Sequence, residues 1–114
     1  MRQTFLRVEL LDFPPEAVAP PETFLQSNRN AFIGVDVYKR GNKQHLEGTG
    51  SVLFTNPSGV TTKITDGVMI YQNRIELRVP SSCYDQLGPV QFVIRNHYQG
   101  NVTTLGVLRG RVYP

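Results

Sequence analysis

Apolar and polar residues alternate along most of this chain. From Ala31 to Val37, Ala31, Ile33, Val35 and Val37 fall on one side, and Phe32, Gly34 and Asp36 on the other. A period of two is the mark of a strand with one face in a core. The same pattern recurs at Ile75, Leu77 and Val79, set against Arg74, Glu76 and Arg78, and again at Val90, Phe92 and Ile94. It is looser from Thr4 to Leu11, where Leu6, Val8 and Leu10 share a face. Further strands are expected from Leu46 through Phe54, at Val60, Thr62 and Ile64, from Val68 to Tyr71, and from Val102 to Tyr113. In the last, the alternation slips near Leu108, which predicts a bulge around Gly106 or Gly110.

Turn chemistry separates these runs. Arg40-Gly41-Asn42-Lys43 and Gln99-Gly100-Asn101 read as hairpin turns, because Gly and Asn tolerate positive φ. Asn56-Pro57-Ser58-Gly59 is a β-turn, with Pro presetting φ and Gly closing it. Asp66-Gly67 and Gln72-Asn73 are further reversals, and Pro80 ends the strand before it. Ser81 to Leu87 predicts one helical turn capped by Ser81 or Ser82. Two Pro-Pro pairs, Pro14-Pro15 and Pro20-Pro21, exclude regular structure between the first two strands. That stretch, residues 12–27, is expected to be a Pro-rich arm or crossing loop, long enough to serve as a contact arm. The whole predicts about eight short strands with turn signals roughly every 8–12 residues, the spacing of an antiparallel β-sandwich. A small closed barrel is the alternative.

Composition narrows this picture. With 114 residues the chain is one domain's worth, and residues 1–114 are read as a single sandwich. Charged residues are 18% of the chain, too few for a disordered polymer. There is no apolar run of the length a membrane helix needs, and no membrane partner is expected. The first five residues lack the apolar stretch of a signal peptide, and Asn101-Val102-Thr103 is read as a hairpin tip rather than a glycan acceptor. A single cysteine excludes a disulfide framework, and Cys83 reads as a small buried thiol. The net charge is +3, and nine of the twelve basic residues are Arg, the cation suited to protein interfaces. The basic residues stand singly or in small groups along the chain, without the aromatic-interleaved stripe of a nucleic-acid binder, and no nucleic-acid partner is expected.

Candidate chemistry changes little. His45 and His97 have no ligand-spaced Cys or His nearby, which argues against zinc. Ser58, Ser81 and Ser82 have no nucleophile-elbow context, and neither Gly48-Thr49-Gly50 nor the Gly106–Gly110 stretch opens a helix as a phosphate loop would. The four Asp and five Glu are scattered over polar faces and turns; Asp36 is expected to pair with an Arg. No enzyme activity and no cofactor are expected. Tyr38, Tyr71, Tyr84, Tyr98 and Tyr113 are candidates for rims or interfaces.

One stretch resembles a known family. Asn28 to Tyr38, the turn at Arg40-Gly41-Asn42, Leu46-Glu47-Gly48 with the apolar strand to Phe54, and Pro57-Ser58-Gly59 follow the pattern of the N-terminal domain of phage baseplate upper proteins and related tail or fibre proteins. Gln72 to Pro80 and Gly88 to Ile94 match later elements of that pattern, so the resemblance spans residues 28–113. Here Ser58 replaces the family's Asp, and Asn28 and Asn30 stand where it often has Asp. The resemblance implies an Ig-like β-sandwich in a virion, assembled in the bacterial host cytoplasm. Such a protein attaches or organises a fibre or receptor-binding module through contacts with other virion proteins, with a homo-oligomer, a trimer, favoured. For that role the arm supplies the expected interface residues: Phe13, Pro14, Pro15, Pro20, Pro21 and Phe24. The alternative is a sandwich that binds a host-surface glycan through Tyr38, Tyr71 or Tyr98.

Overall fold

The computed structural model describes residues 4–12, 17–18, 23–26 and 32–114, with side chains for 4–7 and 32–114. Two antiparallel sheets stack into a β-sandwich, the fold class expected from the alternation. Among the described residues nine strands run four residues or longer and two more are two-residue pieces. In chain order they are β1 (Phe5–Asp12), β2 (Ala17–Val18), β3 (Thr23–Gln26), β4 (Phe32–Lys39), β5 (Asn42–Lys43), β6 (Thr49–Thr55), β7 (Thr61–Ile64), β8 (Val68–Tyr71), β9 (Arg74–Arg78), β10 (Gly88–Tyr98) and β11 (Asn101–Tyr113). One sheet has the order β3-β1-β11-β10-β6-β7; the other has β2-β4-β9-β8, with β5 beside β4.

The alternation falls inward as the period of two requires. Ile33, Val35 and Val37 of β4, Ile75 and Leu77 of β9, and Val90, Phe92 and Ile94 of β10 are all buried with Leu6, Val52, Phe54, Leu108 and Val112. Phe54 and Phe92 are direct cross-strand partners with ring centroids 5.1 Å apart at 44°, an aromatic pair worth about 0.5–1.5 kcal/mol beyond its area. Ile64, Val68 and Ile70 pack against this core from the shorter strands.

The bulge lies beside Gly106. Ile94 pairs with Gly106 and Arg95 with Thr104, which leaves Leu105 as the extra residue of β11. Leu105 and Gly106 are therefore buried in succession, and the inward-outward alternation shifts by one residue across the bulge. The hairpin turns carry the positive φ their residues suggest: Arg40 and Gly41 at 52° and 79°, Gln99 and Gly100 at 50° and 80°. Positive φ at both central residues matches the twist of the flanking strands. At the β6–β7 turn the Asn56 side chain accepts from the Ser58 and Val60 amides, each at 3.0 Å.

Three expectations are corrected. The segment 12–27 is not devoid of regular structure, because β2 and β3 both lie inside it. β2 pairs with β4 in one sheet and β3 with β1 in the other. Both strands avoid the prolines, so each keeps the amides its ladder needs. β4 packs against β11 and β6 against β8, which places β2 and β3 on the same side of the sandwich. Second, the helical turn is a single 3-10 turn, Ser81–Tyr84, whose N-cap is Pro80, without a side-chain cap from either serine. Third, Tyr84 is not a rim residue: it is 5% exposed and packs in the core.

Candidate interaction surfaces

Of the expected interface residues, Phe13, Pro14, Pro15, Pro20 and Pro21 lie outside the described residues. Phe24 sits in β3, in register with Arg7 of β1.

The outer face of the five-stranded sheet holds a closed ion-pair cluster. Asp36 of β4 and Arg74 of β9 are register partners. Arg74 Nη1 donates to Asp36 Oδ1 at 3.1 Å, and Arg74 Nε donates to Glu76 Oε2 at 3.0 Å. Partial burial works to lower the Arg74 pKa, but the hydrogen bonds and charges of Glu76 and Asp36 outweigh it and push the guanidinium above its ordinary value. Gly34 makes room for this arrangement: a Cβ there would come within 2.9 Å of Arg74 Nη2 and 2.8 Å of the Ile75 carbonyl. The ion pair expected at Asp36 is thus present, and its partner also satisfies a second carboxylate. Phe32, Tyr38 and Tyr71 share this face, and Tyr71, half exposed, donates its hydroxyl to Met69 Sδ at 3.2 Å. Tyr98 instead ends β10 in the other sheet.

Three further features involve nucleophilic or titratable groups. Ser51 Oγ and His97 Nε2 are 2.6 Å apart on the outer side of the six-stranded sheet. Ser51 is only 1% exposed, so its hydroxyl is shut away from any substrate, and the pair ties β6 to β10 across two rows. His45 meets Glu47 at 3.2 Å on the surface. Cys83 is buried, and burial, helped by the charge of Asp85, pushes its thiol up to about 12. Burial likewise raises the Tyr84 phenol to about 12, with its hydroxyl lacking a partner among the described residues. A thiol so protonated is a poor nucleophile. Beside Cys83 a cleft of about 260 Å³ opens between the β6–β7 turn and the 3-10 turn, lined by Phe54, Pro57, Ile64, Asp85 and Gln86 among others. Ser58 donates to Gln86 Oε1 at 3.1 Å across the two turns.

The fold also assembles a surface that the linear sequence hides. Successive strands β11, β10, β6 and β7 contain Arg109, Arg111, Arg95 and Lys63 and not one Asp or Glu. Arg7 of β1 stands opposite Arg111 in the register. The basic residues that look scattered along the chain are gathered because strands distant in sequence are neighbours in the sheet. Comparison with known proteins finds no matching family model, no matching curated protein and no matching solved structure.

Proposed function

We propose that this protein is a phage virion structural component, a part of a tail, baseplate or head fibre that attaches or organises a fibre or receptor-binding module through protein–protein contacts. The observation that carries the reading is the side of the sandwich built from β2 and β3. The Pro-rich segment contributes one strand to each sheet there. Of the proposed contacts, Phe24 lies in β3, and Phe13, Pro14, Pro15, Pro20 and Pro21 lie in the chain between β1 and β3. A chain segment tethered at both ends loses less freedom on docking than a free one. The order of the sequence pattern from residue 28 to 113, which follows one sandwich from β4 to β11, supports the same reading. Mass spectrometry of density-purified phage particles tests it. Peptides of this chain should travel with tail or head proteins at constant ratio, and their absence from particles overturns the reading. Light scattering addresses the favoured trimer: a mass near three times 12.8 kDa is expected, and a monomer at high concentration removes self-assembly from the proposal.

A second reading, host-surface glycan binding, draws on the exposed Tyr71 sharing a sheet face with Tyr38 and Phe32. Saccharide binding lost on Tyr71→Ala would favour it over the first.

A further inference from the structure

The outward positions of the six-stranded sheet form rows. Register places Val107, Val93 and Leu53 in one row across β11, β10 and β6, ending at Lys63 of β7. Below it lies the row Arg109, Gln91, Thr55 and Thr61, and beyond that Arg111 beside Arg7. Above it lies the row Thr104, Arg95 and Ser51. The three apolar side chains are each partly exposed, while their neighbours Phe92, Phe54 and Leu108 point into the core. The acidic residues of this sheet, Glu9 and Asp12, both belong to β1, where Glu9 is the register partner of Arg109. None of Arg95, Arg109, Arg111 and Lys63 takes part in the ion pairs seen between described side chains.

We infer that this face is a docking surface for a protein partner whose own surface is apolar at the centre and rimmed by carboxylates. An apolar centre inside a polar rim, rich in Arg, is the anatomy of a protein interface. The cations at the rim call for the opposite sign across from them. Among the described side chains, neither outer sheet face of a second copy of this chain offers that complement. The same face would bring like charges together, and the carboxylates Asp36 and Glu76 of the opposite sheet are already held by Arg74. A nucleic acid would match the charge but would set its phosphates against the apolar row Val107, Val93 and Leu53, where they gain nothing. The inference rests on the protein-contact reading above and adds the chemistry of the partner.

The test titrates the isotopically labelled protein with three probes of matched charge: a short glutamate-rich peptide with interspersed leucines, its leucine-free counterpart, and oligothymidylate. The leucine-bearing peptide should bind tightest, shift the amides of Leu53, Val93 and Val107, and weaken as salt is raised. Arg95→Glu combined with Arg109→Glu should weaken it by about tenfold or more, while the spectrum elsewhere stays that of the folded protein. Tighter binding of oligothymidylate would make this a nucleic-acid face and overturn the proposal. So would shifts that map to another surface, indifference to the charge reversals, or no binding by any probe. Because the probes are synthetic, these outcomes are independent of whether the chain is found in phage particles.

Discussion

The two sheets of this sandwich share one core but handle charge on their outer faces in opposite ways. On the five-stranded sheet, Arg74 is clasped by Asp36 and Glu76 over the bare backbone of Gly34, and its charge is neutralised locally. On the six-stranded sheet, four contiguous strands carry cations and no carboxylate. The first arrangement serves the folded chain itself, since each charge already has its partner. The second does little for the fold, because like charges on one sheet face repel, and so it points outward to something else. Net charge alone, +3 for the chain, conceals this division.

The largest expected effect tests whether the two faces stand on one cooperative core. Cys83 and Tyr84 both have folded pKa values raised by burial, to about 12 from ordinary values of 9.0 and 10.0. The folded protein thus keeps protons that the unfolded chain releases. Stability is therefore expected to be complete below about pH 9 and to fall as pH rises toward 12, since the unfolded chain releases these protons first. Cys83→Ala should remove the first part of that decline. Alkaline melts followed by amide signals on both outer faces should coincide, and separate transitions would show that the sheets are not one unit.

Next in size is the clasp. Arg74→Met leaves Asp36 and Glu76 without their shared cation on adjacent strands, and a loss of about 1–2 kcal/mol is expected in urea melts. A loss below a few tenths would mean that the clasp is as dispensable as the cations opposite. The smallest effect belongs to those cations. Arg111→Glu, placed opposite Arg7, should change stability by no more than about 0.5 kcal/mol, and in the favourable direction. A marked destabilisation would show that Arg111 serves the fold, and the contrast between the two faces would fail.

Much of this architecture could be read along the chain. Strands β4, β9 and β10 announce themselves because every second residue is apolar and the core takes every second residue. The bulge near Gly106 was legible because a slip of one residue in the alternation requires an extra residue somewhere nearby. What could not be read was set by tertiary pairing. β2 and β3 are too short, and too close to prolines, to form on local preference, and they exist because β4 and β1 offer them open edges. Tyr84 has a polar tip that suits a rim, yet the 3-10 turn carries it inward with Cys83. The cationic face is hidden in the linear sequence because Lys63, Arg95, Arg109 and Arg111 become neighbours only through the strand order. A signal was there all the same: the strand segments from Thr49 to Ile64 and from Gly88 to Tyr113 lack acidic residues.

The pairing of β1 with β11, Phe5 opposite Tyr113, has a consequence in time. The interior strand that joins β1 to the rest of its sheet follows every other strand of that sheet in the chain. Until β11 arrives, both β1 and β10 lack the neighbour they share, and Leu6 has no Val112 to pack against. The sandwich therefore closes late and through contacts distant in sequence, the circumstance in which folding is slow and open strand edges are most exposed to stray partners.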